Sequence, residues 1–262
     1  MALVGIPAIH ELPVGRGLHD HPATWLTYTT SEASLLTAES EESLALLTTQ
    51  GRGPLTSNFA ESGGFFRTQD GLPAPDIQIH TIPILFPEAG AGEILLDGWA
   101  TSACLLRPES EGFVKLRSRI PSAKPRSLHN YLVEPGDMRA MVQGVRRLAE
   151  VSEQPALQAV STGRFAAPAA DADDVAIVAH IKRNTSTLYH PVGTCAMGAV
   201  VDDQLRVLGM ERLRVIDASV MPTPVSGNTN APTIAIAERA SDLIRGRAPL
   251  SGRPAEAGPV AV

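Results

Sequence analysis

One histidine in the last third of the chain stands in a setting that suits acid–base chemistry. His190 lies in residues 189–195 and is followed directly by a Pro-Val-Gly turn. Such a turn presents the imidazole from stiff, irregular backbone, as is common for catalytic groups on loops. An imidazole titrates near neutral pH, so His190 is a candidate base that accepts a proton.

Two further segments supply amide and backbone N–H groups. Residues 213–222 contain Asp217 and Ala218, and residues 226–233 read Ser-Gly-Asn-Thr-Asn-Ala-Pro-Thr before a predicted helix that opens at Pro232. Proline at the first position of a helix costs no hydrogen bond. Asparagine amides and free N–H groups therefore gather at a helix N-terminus, which suits a phosphate, a carboxylate or the carbonyl edge of a flavin ring.

These segments resemble the carboxyl-terminal half of the glucose-methanol-choline (GMC) family of FAD-dependent oxidoreductases, in its choline dehydrogenase-like branch. The resemblance rests on His-Pro-Val-Gly-Thr-Cys-Ala-Met-Gly, Val-Asp-Asp-Gln-Leu-Arg-Val-Leu-Gly, Leu-Arg-Val-Ile-Asp-Ala-Ser-Val-Met-Pro and Gly-Asn-Thr-Asn-Ala-Pro-Thr, which span residues 190–198, 201–209, 213–222 and 227–233. It implies FAD as the cofactor, a small-molecule alcohol as the substrate, and transfer of a hydride from the alcohol to flavin N5.

The resemblance also implies roles for individual residues. His190 would be the base, and Asn228 would be the second catalytic residue, which is His or Asn in the family. For Asn228 the alternative is a helix-capping asparagine, and Asn230 is its rival for the catalytic role. Contacts to the cofactor are expected from residues on the last turn and at the start of the final helix, namely Asp217, Ala218, Asn230 and Thr233.

The substrate pocket is expected from residues near the flavin ring. The resemblance implies that Tyr189 and Val192 shape its wall. Phe65 and Phe66 are candidates for another wall, although a simple core role is favoured for both. His80, at an alternating strand position, is a third candidate, and for it too a structural role on the sheet face is favoured.

The first residues of the chain resemble a family segment that runs along the flavin. Its usual asparagine, commonly a cofactor contact, is replaced here by Gly17, which leaves only a backbone contact. His19 and His21, with Asp20 between them, could in principle bind a metal. Since no third and fourth ligand follow at a recognisable spacing, we predict no metal site and interpret them as turn and packing residues.

Cys195 follows the candidate base closely. It is a possible nucleophile by residue type, but Ala196 and Met197 beside it favour a buried spectator.

The chain contains no Gly-x-Gly-x-x-Gly fingerprint after a leading strand. We therefore expect the ADP half of FAD to be bound elsewhere, with a separate N-terminal FAD-binding half as a candidate partner. The isolated chain is then expected to bind FAD weakly and to be inactive. The alternative is a non-catalytic remnant or a binding subunit that needs a partner chain.

The predicted fold class is α+β: a mostly antiparallel sheet substrate-binding domain backed by helices, with C-terminal pieces of an incomplete, Rossmann-like FAD-binding domain. Strand patterns cover residues 76–86, 100–107 and 112–118, and the last two are expected to form a hairpin. We divide the chain into a remnant of the FAD-binding domain, a substrate-binding domain, a catalytic loop with C-terminal FAD-domain elements, and a flexible tail, at residues 1–22, 23–186, 187–246 and 247–262.

Local signals also predict the helices and their ends. Thr37 is a candidate N-cap for a first helix that stops by residues 51–54. A second helix opens at Pro135 with an apolar stripe of Met and Val, and a third opens at Asp173 and ends near Lys182. A short strand is expected over residues 128–132.

Composition limits the possible partners. The 262 residues include 44% hydrophobic side chains, which is enough for a core, and the net charge of −6 comes without long basic runs. Nucleic-acid binding is therefore not expected. No apolar run approaches the ~20 residues of a membrane-spanning helix, and the first residues lack a signal-peptide pattern, so the cytoplasm is the predicted compartment.

Overall fold

The computed structural model describes residues 4–85 and 96–248. Within these ranges the chain forms nine strands and five α-helices. The strands are β1 (Arg16–Leu18), β2 (Pro22–Thr30), β3 (Ser62–Phe66), β4 (Ile77–Ile82), β5 (Gly98–Leu105), β6 (Gly112–Lys115), β7 (Arg126–Leu128), β8 (Ser161–Ala166) and β9 (Thr185–Thr187). The helices are α1 (Glu41–Gln50), α2 (Pro135–Ser152), α3 (Pro155–Gln158), α4 (Asp174–Asn184) and α5 (Asn230–Ile244).

The described strands form two antiparallel sheets. The larger one has the order β3-β4-β5-β2-β8, and β9 also pairs with β2. The smaller one has the order β1-β6-β7. Helices α2 and α4 pack on the larger sheet, so the predicted mixed fold with an antiparallel sheet backed by helices is confirmed.

The larger sheet has one apolar face and one polar face, because side chains alternate along a strand. Its apolar face packs against α2 and α4 in the main core, which includes Leu26, Tyr28, Ile77, Ala103, Leu105, Met141, Val145, Leu148, Ile177 and Ile181. Full burial of each large aliphatic side chain contributes about 1.5–3 kcal/mol. On the opposite face Gln78 pairs with Cys104, and His80 pairs with Ser102. Paired residues share a face, so polar groups gather there.

Helix α2 follows its sequence signals closely. Pro135 occupies its first turn, and Met141, Val145 and Leu148 are buried against the sheet as the three- and four-residue spacing predicts. Gly144 lets the helix approach closely, since a Cβ there would lie 3.1 Å from the Cβ of Ala103. The prediction of this helix is confirmed.

Helix α4 begins beside Asp173, as predicted. The Asp173 carboxylate accepts a hydrogen bond of 2.8 Å from the Ala176 N–H and so caps the helix. The helix continues to Asn184, two residues beyond the predicted end.

The predicted hairpin between the strands now numbered β5 and β6 is wrong. β5 lies between β4 and β2 in the larger sheet, whereas β6 lies between β1 and β7 in the smaller one. The connecting turn does not close on itself, because the Asp137 carboxylate accepts the N–H groups of Glu109 and Ser110, each at 2.8 Å. The chain therefore leaves one sheet and enters the other.

Three element boundaries also differ from expectation. Helix α1 is capped by Ser40 rather than Thr37, because Thr37 already ends a 3-10 turn that Ser34 caps. The strand expected over residues 128–132 stops at Leu128, since Asn130 and Leu132 adopt left-handed backbone conformations. Helix α5 begins two residues before Pro232; proline is accommodated in this first turn, where an N–H has no intrahelical partner.

A second, smaller core joins the C-terminal loops to α5. Its buried members are Val200, Val201, Leu205, Val207, Val220 and Ala240. Helix α5 is otherwise largely open to solvent, with Ile234 54% and Ile244 60% exposed. Among the described residues, no helix is both long enough and apolar enough to cross a bilayer. Residue 86 of the predicted first strand pattern, and most of the predicted tail (249–262), lie outside the described residues.

Candidate active site

The loop that carries His190 is joined to the first part of the chain by backbone hydrogen bonds. The N–H of Gly15 donates to the Thr194 carbonyl at 2.8 Å, and His19 and Val192 exchange two hydrogen bonds of 3.1 and 2.9 Å. Gly193 has φ +90°, and a Cβ there would lie 2.0 Å from the Gly17 carbonyl oxygen. Only glycine allows the two segments to approach so closely.

The Asp20 carboxylate also fixes the loop that carries His190. It is 3% exposed, and its Oδ1 accepts the backbone N–H groups of His21 and His190 at 2.8 and 2.9 Å. Its Oδ2 accepts the hydroxyl groups of Tyr131 and Thr187. These four donors compensate a buried carboxylate for the water contacts that it loses. Asp20 therefore sets the position of the His190 backbone.

His190 and Asn228 meet, as the resemblance implies. The Asn228 Nδ2 atom lies 3.4 Å from the Nε2 atom of His190, and Gln78 on β4 donates to the Asn228 Oδ1 atom at 3.0 Å. Gln78 thereby orients the amide. The proximity of these side chains is the geometry expected of a base with a neighbouring hydrogen-bond donor.

His21 completes the arrangement on the other side of the His190 ring. The two Nδ1 atoms lie 2.9 Å apart, and the rings meet edge to face with centroids 5.1 Å apart. The Nε2 atom of His21 lies 3.2 Å from the carbonyl oxygen of Leu106, just after β5. Each ring nitrogen of His190 therefore faces a polar group of the protein.

Burial keeps the histidines of the site neutral. It lowers the pKa of His190, and the nearby Asp20 carboxylate opposes that shift. Burial, followed by the charge that His190 can carry, lowers the pKa of His21 to about 4, against opposing effects of the Leu106 and Val225 carbonyls and Asp20. The pKa of His80 is lowered by burial and then by His190, while nearby Asn228 opposes the shift. At neutral pH His190 is thus an unprotonated imidazole, able to accept a proton.

His80 lies beside His190 and Asn228, on the polar face of the sheet. Both of its ring nitrogens are buried and have no hydrogen-bond partner among the described residues, and the same holds for Ser102 Oγ on the neighbouring strand. Buried polar atoms are normally paired, so these are available to a bound molecule. The alternation of residues 77–82 was the sequence signal that could have favoured a role for His80 in the site over a structural role.

The residues expected to contact the cofactor surround the start of α5. The Asp217 carboxylate accepts the Ser219 N–H at 2.8 Å and so caps the short helix Ala218–Val220. In α5 the N-cap residue is Thr229, and no described side chain caps the helix. Asn230 is exposed in its first turn, and the Thr233 hydroxyl donates to the Thr229 carbonyl at 2.6 Å.

The residues expected to line the pocket differ in their exposure to solvent and in the face of the sheet on which they lie. Tyr189 is 84% exposed and has a left-handed backbone, whereas Val192 is buried and is held through its backbone. Phe65 is 54% exposed and pairs in register with Gln78, so it lies on the site face of the sheet. Phe66 points to the main core. Geometry therefore favours Phe65 over Phe66 as a pocket wall.

Cys195 and His19 make contacts away from the His190–Asn228 pair. Cys195 is half-buried and packs against the second core. The Nε2 atom of His19 lies 3.5 Å from a Glu111 carboxylate oxygen. Within residues 4–85 and 96–248, no group of three or more His, Cys, Asp or Glu side chains is arranged to hold a metal. His21 and Asp20, which sequence reasoning assigned to turns and packing, instead contact the candidate base directly.

Comparison with known proteins shows the family of the C-terminal part of the chain. Residues 108–237 match the family model described as GMC oxidoreductase. This part of the chain is a GMC oxidoreductase domain. The similarity extends well beyond it: the oxygen-dependent choline dehydrogenase of Paraburkholderia phymatum is 41% identical over 258 residues, covering 94% of this chain. That of Burkholderia multivorans is 41% identical over 256 residues. The resemblance drawn from the sequence motifs is thereby confirmed.

Solved GMC-type flavoenzymes share this fold over about half of their length. A formate oxidase of Aspergillus oryzae, solved in a study of its FAD modification, superposes with a TM-score of 0.82 at 22% identity, over 94% of this chain and 49% of that one. An FAD-dependent oxidoreductase from Chaetomium thermophilum gives 0.76 at 21% identity, over 94% and 50%. The chain spans about half the length of the curated relatives it matches, 45% of each of the two choline dehydrogenases.

Proposed function

We propose that this chain supplies the substrate-binding and catalytic portion of an FAD-dependent alcohol oxidoreductase. The observation that carries the proposal is the contact between His190 and Asn228. A neutral imidazole nitrogen beside an amide donor is suited to remove the proton of an alcohol while its oxygen is held. The domain assignment made from the sequence follows the same proposal, with residues 23–186 binding the substrate and 187–246 carrying the catalytic loop and the flavin contacts.

The residues present fit a flavin beside this site. The N–H groups of Asn230 and Ala231 open α5 without a side-chain cap from the described chain, so they can donate to an electron-rich ring edge. Exposed apolar surface at Tyr189 and on α5 lies next to the same loops. FAD, when bound, would supply the acceptor for the hydride that leaves the alcohol carbon. Asp217, Ala218, Asn230 and Thr233 are the residues we assign to holding it.

The chemistry of this chain's own residues is proton removal and orientation. The alcohol hydroxyl donates its proton to His190 Nε2 while the carbon that bears the hydroxyl gives up a hydride to the acceptor. The alcohol thereby becomes a carbonyl compound. The Asn228 amide donates to the substrate oxygen without competing for its proton. The unpaired ring nitrogens of His80 provide a further polar contact, and Phe65, Tyr189 and Val192 are assigned to the pocket wall.

We further propose that the ADP half of FAD is bound by sequence outside this chain. The support is the missing dinucleotide fingerprint together with the twofold greater length of the relatives. This predicts that the 262-residue chain alone binds FAD weakly and is inactive. The cytoplasm is the compartment that we propose from the sequence.

The test is a flavin spectrum with an activity assay. The chain is purified alone and after co-expression with a segment that carries the fingerprint, and dye reduction is measured with a panel of primary alcohols that includes choline, because the relatives carry that name. Flavin and turnover in the co-expressed sample only, lost in His190→Ala, support the proposal. Absence of flavin in both samples would favour the remnant or binding-subunit alternative.

A further inference from the structure

A fixed backbone carbonyl stands at one end of a chain of hydrogen bonds through the site. This series of hydrogen bonds runs from Gln78 through Asn228, His190 and His21 to the carbonyl of Leu106. Its two ends lie close together, because Gln78 is on β4 and Leu106 follows the neighbouring strand β5. Four of the five groups can each present either a donor or an acceptor by an amide flip or a change of tautomer. The carbonyl can only accept.

We propose that His21 is a positioning residue that fixes the tautomer of His190, with the proton on Nδ1 and the lone pair on Nε2. The Leu106 carbonyl requires a proton on His21 Nε2, 3.2 Å away. In a neutral ring the Nδ1 atom of His21 is then an acceptor. His190 Nδ1, at 2.9 Å, must therefore carry the proton that donates to it.

The hydrogen bonds at the Gln78 end of the series are consistent with a proton on His190 Nδ1. With its lone pair on Nε2, His190 can accept from the Asn228 Nδ2 group at 3.4 Å, and Asn228 Oδ1 accepts from Gln78 Nε2 at 3.0 Å. The opposite tautomer would place a lone pair of His21 against the Leu106 carbonyl. It would also place an N–H of His190 against the Asn228 N–H group unless both amides flipped. Buried mismatches of this kind are costly, so one direction prevails.

Asp20 fixes the backbones of the two histidines relative to each other. A single oxygen, Oδ1, accepts the backbone N–H groups of both His21 and His190. The two backbones are therefore fixed relative to one another before the rings meet. The groups that face the pair are the carboxylate of Asp20, the ring of His80, the amide of Asn228 and the carbonyls of Leu106 and Val225.

The consequence for catalysis rests on the proposed function. Nε2, the His190 nitrogen that faces Asn228, is the one with the lone pair, so His190 can accept a substrate proton there without first moving its own. After it accepts that proton, its Nδ1–H still donates to neutral His21. Burial, followed by the charge that His190 can carry, lowers the pKa of His21 to about 4, so His21 remains a neutral acceptor at neutral pH.

The test is the 15N NMR spectrum of the chain labelled only in histidine, at pH 7.5. Protonated and unprotonated ring nitrogens have well-separated 15N shifts, and the His190 signals are assigned by their loss in His190→Gln. We expect a protonated-type shift at Nδ1 and an unprotonated-type shift at Nε2. The reverse pattern, or averaged shifts for both nitrogens, would overturn the inference, and this result needs neither flavin nor turnover.

Two variants of His21 test whether it causes the preference. His21→Leu removes the acceptor and should move the His190 shifts towards an average, whereas His21→Asn places an amide oxygen near the former Nδ1 and should restore the pattern. His180→Leu, at a buried histidine outside the chain of hydrogen bonds, is the matched control and should leave the His190 shifts unchanged. Unchanged shifts in folded His21→Leu would also overturn the inference; if that variant does not fold, the wild-type spectrum decides.

The proposed function and this inference can fail separately. In the flavin-containing assembly, His21→Leu should lower kcat about tenfold, the size expected for loss of one neutral hydrogen bond, with KM little changed and partial rescue in His21→Asn. A wild-type spectrum with the expected tautomer but no alcohol oxidation would contradict the proposed function alone. Alcohol oxidation that depends on His190, together with the opposite tautomer, would contradict this inference alone.

Discussion

The Nδ1 atoms of His21 and His190 lie 2.9 Å apart, although 169 residues separate them in the sequence. The contact joins the first strands of the chain to the loop that carries the candidate base. Asp20 reinforces it by accepting the backbone N–H groups of both histidines. His190 is therefore oriented by residues from the opposite end of the chain, and changes there should alter its properties.

Asp20→Asn should destabilise the protein and misplace the His190 loop. The substitution leaves one acceptor oxygen where the carboxylate used two, so the hydroxyl groups of Tyr131 and Thr187 lose their charged acceptor. We expect a loss of about 2 kcal/mol in the free energy of unfolding, measured by urea titration.

Asp174→Asn is the matched control for that change. Asp174 is exposed and pairs with Arg146 on the surface, a kind of ion pair worth about 0–1 kcal/mol. Equal losses in both variants would show that Asp20 has no special structural role.

Stability should fall between pH 6.5 and about 4. The pKa of His21 is lowered from 6.5 to about 4, so over this range the unfolded chain binds a proton that the folded chain excludes. By linkage this costs about 3 kcal/mol for His21 alone, and the lowered pKa values of His80 and His190 act in the same direction. Urea midpoints at pH 7.5 and 4 measure the effect.

The same comparison in His21→Asn isolates the contribution of His21. This variant has no imidazole at position 21, so its midpoint should depend less on pH than that of the wild type. An unchanged pH dependence would mean that His21 titrates normally in the folded protein.

Gly193→Ala should damage the site much more than Gly198→Ala. Both glycines have left-handed backbones, with φ of +90° and +84°, so each substitution carries a strain of about 1–2 kcal/mol. At Gly193 the new Cβ would also lie 2.0 Å from the Gly17 carbonyl oxygen, whereas at Gly198 it meets open space. We expect a larger loss of stability in the first variant than in the second, and displaced His190 NMR signals in the first variant only. Similar effects in both would contradict the close approach of the two segments.

Alanine substitutions should separate the roles of Asn228 and Asn230. Asn228 lies in contact with His190, so Asn228→Ala should lower kcat of the flavin-containing assembly about 10²-fold, as expected for loss of a donor to the reacting oxygen. Asn230 is exposed in the first turn of α5, and Asn230→Ala should instead lower the flavin content of the purified assembly. If Asn230→Ala caused the larger loss of kcat at full flavin content, the two assignments would have to be exchanged.

The sequence predicted best what depends on local pattern. The amphipathic spacing of α2, its opening proline and the Asp173 cap of α4 were all sufficient, because they act within one element. The motifs around His190 and Asn228 also indicated the pair that meets in the structure.

The sequence failed where distant residues decide the outcome. The turn after β5 has the composition of a hairpin, yet Asp137 on α2 binds its N–H groups and directs β6 into another sheet. In the same way, nothing local to His21 or Asp20 shows that each one packs beside a loop from the end of the chain, and the alternation of residues 77–82 assigns His80 only to a sheet face. Such roles follow from tertiary contacts, which periodicity and spacing do not encode.

Alcohol-dependent flavin reduction, compared between wild type and His190→Gln, tests the central claim most directly. The chain, co-expressed with a segment that carries the dinucleotide fingerprint, is mixed anaerobically with choline and other primary alcohols, and flavin absorbance is followed. We predict rapid bleaching by at least one alcohol in the wild type and a rate about 10²–10⁴-fold slower in His190→Gln at equal flavin content, because the base is lost. Equal reduction rates in the two proteins would contradict the assignment of His190 as the catalytic base.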